Sequence, residues 1–163
     1  MRKLRLVVSL VILFCFLVAC RQQPSSLTDA HKEEIEKQVR QQWELKFKAV
    51  ATLDLESMEQ IFSKNEFLGY AADGNVTVTV RRVFMDLLRE AWGSQRERHG
   101  EILHLAIHPL AEDLALVDYT AKWQGIDKDG HTQKLNASVA MLYRKERAGW
   151  KAIYEHESTR EID

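Results

Sequence analysis

An imidazole and two phenols are the side chains of this sequence with the most obvious chemical use. His156 stands near the end of the run Gly149-Trp150-Lys151-Ala152-Ile153-Tyr154-Glu155-His156-Glu157-Ser158. Placed beside Tyr119 or Tyr154, its ring could act as a general base near neutral pH, where histidine titrates. The same position equally suits a structural histidine hydrogen-bonded at the end of a sheet, and no second member of a dyad is evident from spacing. His104 and His108 are candidate metal ligands by type. On a strand, however, they stand about 13 Å apart at ~3.3 Å per residue, too far to share one ion bound at about 2 Å. Asp127-Lys128-Asp129-Gly130 has the composition of a turn and lacks the remaining ligands of a calcium loop. No metal and no cofactor are expected.

Any such site must be positioned by elements that the hydrophobic periodicity defines. Thr28 is a good N-cap, followed by a helix whose stripe is Ile35, Val39, Trp43, Phe47 and Val50. A shorter helix begins near Asp54, with Leu55, Met58, Ile61 and Phe62 facing inward. Glu66 to Ala72 reads as a short strand closed by the turn pair Asp73-Gly74. A third helix is expected from about Val80 to Arg98, burying Val83, Phe84, Leu87, Leu88, Ala91 and Trp92. Beyond Gly100 the period changes to two. Strands are expected over 101–110, 113–126, 132–146 and 150–158, with Asp127-Lys128-Asp129-Gly130 and Ala148-Gly149 as turns. Helices first and an antiparallel meander afterwards is an α+β pattern, helices packed on one face of the sheet.

Strand alternation then says what faces inward. Val117, Tyr119 and Trp123 share a face with Ala115 and Ala121, and Met141 shares one with Val139 and Tyr143. Strict alternation in the last strand puts Trp150, Tyr154 and His156 together. With Trp43 and Phe47 from the first helix, the expected lining is aromatic with few polar groups, as in many ligand pockets. The same residues would serve equally as a filled core. Asp118 falls on the opposite face of its strand, and Glu155 and Glu157 point away from His156, so the expected lining holds no carboxylate.

The chain has 163 residues, and its first nineteen differ in character from the rest. Arg2, Lys3 and Arg5 form a basic start, and 6–19 is almost unbroken in Leu, Val, Ile and Phe. That run is short of the roughly 20 residues needed to span a bilayer, and a basic flank before an apolar core is how a secretory signal reads. Leu17-Val18-Ala19-Cys20 resembles the lipobox of bacterial lipoprotein signals. The resemblance implies cleavage before Cys20, lipidation of its thiol and a membrane anchor of more than one acyl chain, since one chain binds only marginally. Residues 1–19 are thus expected as signal peptide, 20–27 as lipidated cysteine and tether, and 28–163 as the domain. The implied location is the cell envelope, on the outer membrane facing the periplasm if the cell has two membranes, because Arg21 rather than Asp follows the cysteine.

Removing Arg2, Lys3 and Arg5 from 23 basic residues leaves 20 against 24 acidic ones, a net charge near −4. With no basic stripe carrying interleaved aromatics, nucleic acid is not an expected partner. Cys15 would leave with the signal and Cys20 carry lipid, so the domain has no thiol for a disulfide, a nucleophile or a metal.

Over roughly residues 30–158, the chain resembles the cone-shaped domains of nuclear transport factor 2, specifically the SnoaL-like group. The residues carrying the resemblance are Asp54-Leu55-Glu56-Ser57-Met58, Ile61-Phe62-Ser63, Leu114-Ala115-Leu116-Val117-Asp118-Tyr119 and the closing run 149–158. The segment Val76-Thr77-Val78-Thr79 departs from the family pattern. The resemblance implies three helices packed on a curved antiparallel sheet and a pocket between sheet and first helix. It also implies homodimers formed through the outer sheet face, for which Val139-Ala140-Met141-Leu142-Tyr143, apolar on both alternations, is suited. Three functions are compatible: a non-catalytic lipoprotein binding a small apolar ligand or a protein partner, an acid–base cyclase or isomerase, and a scaffold of an envelope assembly. The enzymes of the group depend on a pocket carboxylate.

Overall fold

The computed structural model describes residues 27–74 and 76–162. The basic start, the apolar run and Cys20 lie outside the described residues. Among those described, no helix is long and apolar enough to cross a membrane.

Helix α1 (Asp29–Ala51) starts as its sequence predicts, with the Thr28 side chain accepting from the His31 backbone N–H at 3.3 Å. Helix α2 (Leu55–Ile61) is capped by Asp54, whose carboxylate takes the Ser57 N–H at 3.0 Å. A short pair follows, β1 (Gly69–Ala72) and β2 (Val76–Val78), then helix α3 (Arg81–Gly93). Four long strands complete the chain: β3 (Gln95–Ala111), β4 (Leu114–Asp127), β5 (Thr132–Glu146) and β6 (Gly149–Glu161). They form one six-stranded sheet in the order β2-β1-β6-β5-β4-β3. All neighbours are antiparallel except β1 and β6, which run parallel. The architecture is the expected α+β one, helices packed on one face of a curved sheet.

Three details differ from the sequence reading, each because long-range pairing outweighs local pattern. Strand β2 occupies part of the segment where the sequence shows no element; it is held by pairing with β1 through Ala72↔Val76 and Tyr70↔Val78. Helix α3 ends at Gly93, and 95–98, expected as its last turn, are strand, because β3 continues its ladder with β4 to Gln95↔Asp127. Helix α3 also turns a different flank inward. Phe84, Met85 and Trp92 are buried, whereas Val83 and Leu87 remain 42% and 39% exposed. The reason is an aromatic cluster under the helix: Phe84 packs at 4.8 Å from both Phe62 and Tyr70 and at 5.6 Å from Phe67.

The fourth detail decides the site. Tyr143 on β5 faces Ala152 on β6, but the next residue, Leu142, faces Tyr154, so Ile153 is the extra residue of a β-bulge. A bulge changes the parity of everything after it. Before it, Trp150 and Ala152 face the core; beyond it, Glu155 and Glu157 do, and Tyr154, His156 and Ser158 lie on the outer face. The bulge is used from the other side too, since the Leu68 N–H donates to the Ile153 carbonyl at 2.7 Å.

Candidate functional site

Between α1, α3 and the sheet lies a partly open cavity of about 50 Å³. This is room for several water-sized groups, well short of the roughly 300–1,000 Å³ of a drug-sized pocket. The cone is therefore largely filled. Its apolar walls are Val50, Met58, Phe84, Leu88, Trp92, Trp123 and Val139, and its polar groups are Lys46, Tyr70, Arg98, Tyr119, Glu155 and Glu157.

Lys46 is the anchor of the polar set. Its spacing on α1, three residues after Trp43 and four before Val50, puts it on the core stripe, and it is 3% exposed. Its ammonium donates to Tyr119 Oη and to Glu155 Oε1, both at 2.8 Å. Glu155 is equally buried at 3%, and its Oε2 has no hydrogen-bond partner among the described residues. Burial alone would lower the lysine pKa, but the Glu155 charge and the Tyr119 oxygen overcome it and hold the ammonium well above its ordinary value. Burial pushes the Tyr119 hydroxyl up to about 12 against the opposing pull of Lys46. The trio is thus a fixed ion pair with a neutral phenol.

The remaining polar groups are not committed in this way. Arg98 lies over the Trp123 ring, its guanidinium carbon 4.8 Å from the ring centroid. Arg98, Tyr70 and Glu157 all line the cavity, and among the described residues none makes a side-chain hydrogen bond or ion pair. Burial, then the negative charge of Glu155, raises the Glu157 carboxyl above the usual range, with Lys46 and Arg98 opposing. Burial likewise raises the Tyr70 hydroxyl.

The raised Glu157 has a stability consequence with a definite sign. An acid whose folded pKa exceeds its unfolded one contributes stability below the unfolded value and loses it as pH rises through the folded value. Glu157→Gln removes the ionisation, so it should gain stability relative to wild type as pH rises from about 4 to 7. Paired thermal melts across that range measure this; a difference that is flat with pH would contradict it.

The sequence-predicted lining divides into four groups. Tyr119 and Trp123 do line the cavity. Trp43 and Phe47 back them, with Trp43–Tyr119 at 5.5 Å edge-on and Phe47–Trp123 at 4.8 Å. Val117, Met141 and Trp150 are buried but belong to solid core, Trp150 Nε1 donating to Gln38 Oε1 at 2.9 Å. Tyr154 and His156 are corrected: the bulge at Ile153 carries both to the outer face, Tyr154 half-buried and His156 exposed. The expectation that no carboxylate points inward is overturned by Glu155 and Glu157. Lys46 and Arg98 were not anticipated either. A lysine at core spacing on α1 is a signal that could have found the first.

Asp118 lies on the outer face as expected. His108 Nε2 is 2.7 Å from its Oδ2 and His104 Nε2 is 3.7 Å from its Oδ1, so one carboxylate lies between the two histidines. At the β4–β5 hairpin, ligand atoms of Asp127, Asp129 and His131 all fall within 4.8 Å of one another, so His131 adds a third group to the aspartate pair. The Asp127 carboxylate is already used within the turn, accepting from the backbone N–H of Asp129 at 2.9 Å and of His131 at 2.8 Å. Those bonds hold it below the usual carboxylate range and explain the cluster as turn chemistry.

Long α1 laid across a coned sheet, with a small polar chamber under it, defines the nuclear transport factor 2-like class. Residues 32–161 match the family described as the calcium/calmodulin dependent protein kinase II association domain, and the chain belongs to that family. Solved structures agree on the fold. A nuclear transport factor 2-like superfamily protein from Salmonella enterica serovar Typhimurium is similar with TM-score 0.69 and 14% identity, covering 77% of this chain and 91% of that one. A protein of the nuclear transport factor 2-like family from Streptomyces avermitilis gives 0.70 and 14%, covering 79% and 98%. The hexachlorocyclohexane dehydrochlorinase LinA-type3 from Novosphingobium barchaimii gives 0.67 and 12%, covering 83% and 92%. Identities this low show shared fold alone. No curated protein matches the chain.

Proposed function

We propose that this chain is a lipid-anchored envelope protein whose domain binds a small polar ligand in the chamber under α1 and α3. One observation carries the binding reading: Arg98, Tyr70 and Glu157 face the chamber with no side-chain partner among the described residues, and Glu155 Oε2 is buried and unbonded. A fully buried polar atom left without a partner, such as Glu155 Oε2, costs about 1–3 kcal/mol, so a molecule that bonds it together with the half-buried Arg98, Tyr70 and Glu157 gains affinity for its size. Strand alternation suggests an apolar ligand; the inward carboxylates and guanidinium favour a polar one of few heavy atoms. Binding by a panel of small polar metabolites, followed by NMR, should disappear in Arg98→Leu while the fold is retained. Unchanged binding in that variant would place the ligand elsewhere.

The anchor rests on Leu17-Val18-Ala19-Cys20 and the basic and apolar run before it. Expression with labelled palmitate should label the wild type and leave Cys20→Ser unlabelled and unprocessed. Equal labelling of the two ends the anchor reading.

Acid–base catalysis in the same chamber is a second reading, favoured by Glu157, a carboxyl held up in pKa beside an ionised neighbour, as proton-transfer groups often are. The dehydrochlorinase among the fold neighbours is compatible with it. Self-association through the outer sheet face completes the proposal. Its centre is Leu116, Ala140, Leu142 and Tyr154, which no other element covers among the described residues. The family's description as an association domain supports it.

A further inference from the structure

The outer face gathers two of the six histidines around a single carboxylate, and a third, His156, stands two strands away in the same row. Adjacent strands place His108 beside Leu116 and Leu142, with Tyr154 next; one row along come Ala106, Asp118, Ala140 and His156. The following row is His104, Thr120, Ser138 and Ser158. Asp118 is shared by His108 and His104, at 2.7 and 3.7 Å, and His156 has no hydrogen-bond or ion-pair partner among the described residues.

We infer that self-association through this face is switched by protonation of His104, His108 and His156, the paired copies separating in acid. This rests on the self-association reading above. While the three rings are neutral, each copy brings the carboxylates of Asp118 and Asp73 and hydrogen-bonding imidazoles to the contact. Protonation turns the group of three rings with Asp118 and Asp73 from two negative charges to one positive on each copy, and a contact through this face brings the two groups together. Burying like charges without counter-ions is strongly unfavourable.

The surroundings give only partial relief. On β3 and β4 the nearest further charges are Glu101 and Lys122, which face each other and cancel. β5 and β6 add the cations Lys134, Arg160 and Lys151 to the same face, and the acid Glu146, which is bonded by Ser63 and Asn65. Arg144 is drawn to Asp113 at 3.1 Å and Glu66 at 3.8 Å, so those acids are occupied. Beside β6, β1 contributes Ala71 next to His156, and Asp73 beyond it accepts from Thr159 while its charge still acts on His156. Asp118 therefore serves His104 and His108, while Asp73 is the acid that acts on His156.

Sedimentation equilibrium of the full chain in density-matched detergent tests this. Between about pH 7.5 and about pH 5.5, across the titration of histidine, the dimer dissociation constant should rise about tenfold or more. The triple variant His104→Gln, His108→Gln, His156→Gln should dimerise with an affinity independent of pH, and His156→Gln alone should lose part of the dependence. A pH-independent wild-type dimer, or a triple variant with the full dependence, overturns the switch and leaves the self-association reading standing. Monomer at both pH values at tens of micromolar overturns both. Circular dichroism of each variant separates loss of association from loss of fold.

Discussion

Lys46→Met is expected to destabilise the domain by about 3–5 kcal/mol, the usual cost of removing one member of a buried ion pair. Methionine fills most of the lysine's volume, so the loss is electrostatic rather than a cavity. It strands Glu155 in the core with neither oxygen bonded, and it removes the donor to Tyr119. The cost should shrink as pH falls, because a stranded carboxylate is relieved by taking up a proton. Lys46→Met with Glu155→Met should recover most of the stability, since replacing both members of a buried pair by apolar groups is often neutral. Urea titrations of the three proteins give the comparison. A cost below about 1 kcal/mol for the single variant would place the pair in solvent.

Gly100→Ala is the second large effect, and it comes from shape. A Cβ at 100 would lie 2.7 Å or less from three atoms of the Trp123 ring. The ring is confined on other sides by Phe47 at 4.8 Å and by the Arg98 guanidinium at 4.8 Å. Moving it disturbs the chamber wall as well as the core, so a cost of about 1–3 kcal/mol is expected, with a changed near-ultraviolet circular dichroism. In a Trp123→Phe background the smaller ring leaves space, and adding Gly100→Ala should cost about 0.5 kcal/mol or less. Equal costs in the two backgrounds would show that the contact is not with the ring.

By itself the sequence determined the class of the fold and most of its elements. Thr28 and Asp54 mark the helix starts because their side chains can cap free N–H groups, a local property. The inward faces of β4 and β5 follow from alternation, since both strands pair along their shared length without interruption. The start of α3 is legible to within a residue although Val80 offers no capping side chain, whereas its end was hidden because 95–98 join the ladder with β4. What only the tertiary structure decided is the chemistry of the chamber. One unpaired residue, Ile153, reverses the parity of the last strand, and nothing local to 150–158 announces it. It is set by pairing with β5 on one side and by the segment 63–68 on the other, through bonds from Ser63 and Leu68 to the carbonyls of Ala152 and Ile153. Those partners lie up to about ninety residues away in sequence. The same long-range pairing makes burial of Lys46 tolerable, because a core lysine is stable only where an acid from another element meets it. Pattern therefore located the walls of the chamber, and register decided which groups project into it.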